Sequence, residues 1–216
     1  MNYLHPTRKL TNTADTSRLL RPIRSGSAAM LGLIASIALE ASHPALARNL
    51  VANGNFETPF GAGPTKLVTD ASGGNGPSAA EGWNAFNDNA GTTTTELRLW
   101  SDVPGGKMNW DGYVIHVTTT STQAGIFQRF ASTGPSHVYT CDLIYINSGA
   151  VGIGTGFGTH TAIDATLSKT GSWEVLNVGN TFEPAINTII YSQNGPADFY
   201  VKSVSVSDSH DQCNPS

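Results

Sequence analysis

Tyr113-Val114-Ile115-His116-Val117-Thr118-Thr119 decides the fold, because Tyr113, Ile115 and Val117 alternate with Val114, His116 and Thr118. A period of two fits a pleated strand with one face toward a core, and it does not fit a helix of 3.6 residues per turn. The same signal spreads outward. Residues 138–147 form an apolar run too rich for a one-sided surface strand. Runs rich in Val, Ile, Thr, Tyr and Phe recur at 50–57, 97–100, 125–130, 161–167, 173–178, 188–193 and 199–206, separated by Gly, Pro, Asn and Asp clusters. About nine strands and no helical periodicity past the amino end predict an all-β chain, an antiparallel sandwich or barrel.

Two stretches interrupt the pattern. Gly152, Gly154, Gly156 and Gly158 take every second position between Val151, Ile153, Thr155 and Phe157. On a strand this would leave one face as bare backbone. No helix pattern follows, so it is not a phosphate-cradling fingerprint. The favoured reading is a flexible hairpin connection, and the other is a ligand-facing platform. Residues 60–82, rich in glycine and poor in large apolar side chains, read as a long surface loop.

The amino end sets the compartment. Arg18, Arg21 and Arg24 precede a 12-residue apolar run at 28–39, and Ala45-Leu46-Ala47 follows Pro44. That order predicts a signal peptide over 1–47 and a single domain over 48–216, secreted to the periplasm or the exterior. The run is shorter than the roughly 20 residues of a spanning helix, so no membrane span is expected after cleavage; an uncleaved anchor is the other reading. Five of the twelve basic and two of the sixteen acidic residues precede Arg48, which leaves seven basic and fourteen acidic, or about −7. Without a Lys/Arg cluster, the mature chain lacks the footprint that phosphate backbones require, and nucleic acid is excluded as an expected partner. Cys141 and Cys213 are the two cysteines. In an oxidising compartment they favour a disulfide, closing a long loop worth roughly 4 kcal/mol, with two unrelated thiols as the alternative.

Asn49-Leu50-Val51-Ala52-Asn53-Gly54-Asn55-Phe56-Glu57 resembles the opening of carbohydrate-binding modules with the galactose-binding-domain-like jelly roll. Gly82-Trp83 is similar to the "GW" after their first loop, and Glu96-Leu97-Arg98-Leu99-Trp100 with Asp111-Gly112-Tyr113 to a "vEvW … dG" pair. Gly125-Ile126-Phe127-Gln128-Arg129-Phe130, residues 139–145, Ser172-Trp173 and Ala197-Asp198-Phe199-Tyr200-Val201 resemble later strands in order. The resemblance implies a jelly-roll sandwich that binds a poly- or oligosaccharide on aromatic platforms, with Trp83 and Trp173 in the core. It also implies a structural calcium in many members, but Lys202-Ser203 stands where their closing motif carries paired acidic residues. Glu57 alone is a poor ligand set for a cation wanting six to eight oxygens, so no cofactor is expected and a Glu57–Lys202 ion pair is.

Sugar recognition needs rings that stack on a pyranose and planar groups that bond its hydroxyls. Trp100, Trp110, Tyr113 and Phe86 supply rings close in sequence to Arg98, Asn109 and Asp111, and to Asn84, Asn87, Asp88 and Asn89. These are the expected ligand-binding residues, Trp110 being the ring expected to be most open. His116 stands where relatives often carry an acid. An ordinary hydrogen-bonded role is favoured for it over a functional one. Catalytic residues are not expected: the carboxylates are scattered, no Gly-x-Ser-x-Gly elbow occurs, and zinc spacing is absent. A non-catalytic carbohydrate-binding protein is therefore the expected function. An adhesive or matrix protein that binds a protein or surface polymer is the first alternative, and a glycoside hydrolase or lyase the second.

Overall fold

A computed structural model describes residues 49–61, 66–69, 74–106, 112–131, 138–156, 165–169, 171–179 and 186–207. The chain divides into Met1–Ala41 and Ser42–Ser216, and only the second unit holds described residues. Twelve strands are described: β1 Lys66–Thr69, β2 Gly74–Pro77, β3 Asn84–Asn87, β4 Thr93–Leu99, β5 Tyr113–Thr119, β6 Ala124–Arg129, β7 Tyr139–Ser148, β8 Ala150–Gly156, β9 Ala165–Ser168, β10 Trp173–Gly179, β11 Asn187–Ser192 and β12 Ala197–Ser207. They form two six-stranded antiparallel sheets, in the order β1-β4-β5-β12-β7-β10 (sheet one) and β2-β3-β6-β11-β8-β9 (sheet two). The fold is an all-β sandwich of the jelly-roll type.

The alternation read at β5 runs through both sheets. Ile115, Val117, Ile144, Ile146, Phe199 and Val201 from sheet one meet Ile126, Val151, Ile153 and Ile190 from sheet two in one buried cluster. Trp83 joins it at 1 % exposure, as the sequence implied, with its ring 5.2 Å from Phe56. Each such side chain is worth about 1.5–3 kcal/mol of burial, and together they hold the sheets face to face. β12 lies in the middle of sheet one between β5 and β7, and its register shifts between Val201 and Ser203. This bulge inserts one residue, so Val204 and Val206 join Phe199 and Val201 in the core although the spacing between them breaks the period of two.

Several sequence expectations are corrected. Residues 50–57 are not a strand: Asn53 and Phe56 have φ of 47° and 60°, left-handed values that no extended strand accommodates. The segment instead runs beside β12, with Val204 N donating to Gly54 O at 2.7 Å and Leu50 N to Val206 O at 2.8 Å. A Cβ at Gly54 would stand 2.1 Å from the Val204 carbonyl, so only glycine permits the approach. Residues 60–82 are not one loop but contain β1 and β2, short edge strands whose few apolar residues hid them. The described part of the glycine row, Gly152 to Gly156, is no hairpin connection. Gly152 and Gly154 lie inside β8, opposite Tyr191 and Ile189 of β11.

Asp142 is the one acidic side chain facing this core among the described residues, fully buried on β7. Thr140 Oγ1 donates to its Oδ1 at 3.0 Å, and its Oδ2 finds no partner there. Burial raises its pKa to about 7, against which the Thr140 bond works weakly. The native state thus holds a proton that the unfolded chain releases near pH 4. This preference is fully present below about pH 4 and is lost as pH rises through 7, an effect on the order of 4 kcal/mol. Urea unfolding of the protein is expected to give a stability that falls between pH 4.5 and 7.5, with Asp142→Asn flattening that slope. An unchanged slope in the variant would show that the carboxyl is not the group responsible.

Candidate functional site

The outer face of sheet one carries the polar phase of the alternation. In register, one rung crosses all six strands: Lys66 of β1 pairs with Glu96 of β4, Glu96 with His116 of β5, His116 with Tyr200 of β12, Tyr200 with Tyr145 of β7, and Tyr145 with Trp173 of β10. Five gaps of about 4.8 Å make the rung roughly 24 Å long. All its side chains leave the sheet on the side away from the core, since their strand neighbours Ile115, Ile144, Phe199 and Val201 point inward.

One half of the rung is a charge-assisted network. His116 Nε2 lies 2.7 Å from Asp198 Oδ1, and Asn147 Nδ2 donates to Asp198 Oδ2 at 2.9 Å. His116 Nδ1 is 3.9 Å from Glu96 Oε2, to which Arg98 donates from Nε at 3.1 Å and Nη2 at 2.8 Å. The Glu96 bond holds the Arg98 guanidinium further above its ordinary value. The other half is a run of rings. His116 stacks on Tyr200 at 4.2 Å and 8°, Tyr145 meets Tyr200 edge-on at 6.1 Å, and Trp173 lies 5.7 Å from Tyr145 and 4.6 Å from Trp100. Burial first, and the Asp198 charge second, raise the Tyr200 phenol above its usual range, so its hydroxyl stays protonated.

The predicted site residues are not one patch. Arg98 is on this face, with 40 % of its side chain exposed. Trp100 stands at the end of the face in a short 3-10 turn, Trp100–Asp102, but only 4 % exposed. It works there as an anchor: Trp100 N bonds Gly112 O at 3.0 Å, and a Cβ on Gly106 would strike the Trp100 carbonyl. Gly106 and Gly112 thus both lie against the Trp100 backbone, while Asn109, Trp110 and Asp111 lie outside the described residues. Tyr113 follows the inward phase of Ile115, and its carbonyl accepts a bond from Lys202. Phe86 belongs to sheet two, where it packs at 0 % exposure with Phe127, Ile189 and Tyr191 on the outer face beside the β8 glycines.

The amides near Phe86 are spent on loop structure. Asn87 donates to Gly91 O and accepts from Ser121, and Asn89 donates to Thr122, which ties the turn after β3 to the turn after β5. Trp173, assigned to the core from sequence, is only half-buried and packs on sheet one's outer side. Asp198, Asn147, Tyr145 and Tyr200 were not foreseen as site residues. Strand alternation places them on a polar phase, but which strands neighbour one another is not written in any local pattern.

The expected Glu57–Lys202 pair is present, with Lys202 Nζ 3.3 Å from Glu57 Oε1 and 3.2 Å from Tyr113 O, and 5.8 Å from the centre of the Trp100 ring. The residues do not suit calcium: an ammonium already lies against the Glu57 carboxylate, and among the described residues no group of three or more His, Cys, Asp or Glu could hold a metal. Cys141 is buried on β7 and Cys213 lies outside the described residues; no described cysteine is free. Among the described residues no helix is long and apolar enough to cross a membrane.

No family model matches the sequence, and no curated protein matches it. Solved structures that align with part of the chain include carbohydrate-binding modules. A Clostridium thermocellum endo-1,4-beta-D-xylanase 10B structure, containing a family 22 module and a family 10 glycoside hydrolase module with xylohexaose, aligns at TM-score 0.43 and 14 % identity over 58 % of this chain and 26 % of that one. A family 29 carbohydrate-binding module complexed with cellulohexaose aligns at TM-score 0.41 and 13 % identity over 70 % of this chain and 99 % of that one. The enzymatically active domain of tailspike protein 4 of bacteriophage CBA120 aligns at TM-score 0.42 and 11 % identity over 74 % and 21 %.

The ion pair is asymmetric, since the Lys202 side chain is 5 % exposed and that of Glu57 is 42 %. Removing the carboxylate strands a buried cation, whereas removing the cation leaves a carboxylate facing water. Glu57→Ala is expected to cost about 2 kcal/mol in denaturant unfolding, and Lys202→Met to stay within about 1 kcal/mol of the parent. Equal losses would mean the pair's energetics lie elsewhere.

Proposed function

We propose that this is a secreted, non-catalytic carbohydrate-binding protein, with residues 1–47 a cleaved leader and 48–216 the working domain. One observation carries the reading: the rung Glu96–His116–Tyr200–Tyr145–Trp173 puts planar donors and acceptors beside ring side chains on the outer face of sheet one. Its described charges balance, Lys66 and Arg98 against Glu96 and Asp198, which suits a neutral hydroxylated ligand more than an ionic one. A roughly 24 Å rung is long enough for several sugar units of an extended chain. Most of its polar groups are held by one another before any ligand arrives, which lowers the ordering cost of binding.

Within this reading Arg98 bonds ligand hydroxyls. Trp110, flanked in sequence by Asn109 and Asp111, supplies a stacking ring. Tyr113, Trp100 and Phe86 act through packing. The Cys141–Cys213 bridge ties the carboxyl tail to β7; the mass of the protein alkylated with and without prior reduction tests it. The carboxylates of the face are engaged, Glu96 by Arg98 and Asp198 by both His116 and Asn147. That supports recognition rather than the proton transfers of hydrolysis, for which one carboxyl must be free to give up a proton.

A glycan array probed with the purified protein tests the proposal. Asp198→Ala and Trp110→Ala are each expected to reduce retention at least about tenfold, the worth of one charge-assisted bond or one stacked ring, with little change in melting temperature. No glycan retained would sink the reading, and new reducing ends released from a polysaccharide would replace it with catalysis.

A further inference from the structure

We infer that His116 is a positioning residue whose protonation sets how strongly this face accepts ligand hydroxyls. The inference rests on the carbohydrate-binding reading and adds regulation to it. Both ring nitrogens of His116 face carboxylates, Nε2 at 2.7 Å from Asp198 Oδ1 and Nδ1 at 3.9 Å from Glu96 Oε2. The ring cannot turn away, because it stacks on Tyr200 at 4.2 Å and 8° and only 14 % of the side chain is exposed. Every charged or titratable group around it is accounted for on the described strands: Glu96 and Arg98 on β4, Asp198 and Tyr200 on β12, Tyr145 on β7, and Lys66 on β1 across from Glu96.

Imidazole is the one of these groups whose two ring nitrogens can carry either one proton or two, donating from one or from both. With one proton, Nε2–H serves Asp198, and Nδ1 turns a lone pair toward Glu96. The two acceptors repel, and Glu96 keeps Arg98 as its donor, at 2.8 Å in the structure. With two protons, Nδ1–H points at Glu96 as well. The imidazolium then stands between both carboxylates, and with Arg98 and Lys66 nearby the face carries a net positive charge. Carboxylates engaged in this way are weaker acceptors for neutral hydroxyls. Acidification therefore lowers affinity, and the face releases its ligand in acidic surroundings.

The test has two arms. Nuclear magnetic resonance titration of the protein follows the His116 ring and the Arg98 Nε–H between pH 5 and 8. The Arg98 signal is expected to move with the His116 titration in the wild type and to stay still in His116→Gln. An Arg98 signal indifferent to His116 overturns the inference. The glycan array repeated at pH 5.5 and 7.5 is expected to give signals about fivefold lower at the acid pH, the worth of about one hydrogen bond. His116→Gln, which keeps a donor for Asp198, is expected to bind equally at both. Equal binding by the wild type at both pH values, or an unaltered pH profile in the variant, overturns it too. An array blank at both pH values sinks the carbohydrate reading instead, and the resonance titration still decides whether His116 drives Glu96 and Arg98.

Discussion

The bulge at Lys202 is the constraint on which the rest of sheet one depends. β12 is the longest described strand and pairs on both sides, with β5 before the bulge and with β7 along most of its length. Before the bulge, Phe199 and Val201 point inward while Asp198 and Tyr200 point outward; after it, Val204 and Val206 take the inward phase. A strand of unbroken period two would have to send either the first pair or the second to the outer side. The extra residue lets one strand feed both ends of the core. It also leaves a lysine at the bulge, whose ammonium needs compensation. Glu57 and the Tyr113 carbonyl provide it, and thereby fasten the irregular opening segment to the sheet.

From that point a continuous set of contacts leads to the polar end of the face. Lys202 lies near the Trp100 ring, Trp100 meets Trp173, and the series passes through Tyr145 and Tyr200 to His116 and Asp198. Contacts between rings and charge-assisted bonds fix side-chain orientation as well as adding energy. A face assembled this way is rigid before binding. Sheet two has the reverse character: its outer side holds Phe86, Phe127, Ile189 and Tyr191, all buried, with Tyr191 raised in pKa chiefly by that burial. Two faces built on the same period of two thus separate into a closed apolar one and a polar one.

The sandwich was legible in the sequence because one-face burial imprints alternation directly on a strand, as at β5 and β7. What escaped was whatever depends on partners distant in sequence. β8 was read as a connection because glycine is rare in strands, and only its pairing with β11 shows why one side can be bare: Tyr191 and Ile189 stand alongside. β1 and β2 were missed because edge strands carry little apolar content, and β3, which pairs on both sides, because it is only four residues long. The bulge did leave a trace, since Val201 and Val204 are three apart in a run otherwise spaced by two. For the site, chemistry was legible by type but not by place. Arg98 lies on the polar face; Phe86 and Tyr113, near it in sequence, point to other surfaces, while Asp198 and Asn147, far from it in sequence, share its face.

That displacement changes how rings contribute to recognition. Proximity in sequence suggested a cluster of tryptophans offering flat faces to a sugar. On the sheet, His116 and Tyr200 press their faces together, and Trp100 lies tilted against Trp173 with almost no surface open. A ring whose face is already covered offers only its edge, which carries hydroxyl or N–H groups and partial positive charge suited to oxygen rather than to the apolar side of a pyranose. On the proposed reading the rung therefore reads hydroxyls along its length, and stacking falls to half-buried Tyr145 and Trp173 at its margin. Specificity in such a face comes from the spacing of acceptors set by strand register, which is fixed by the backbone ladder and not by the mobility of loops.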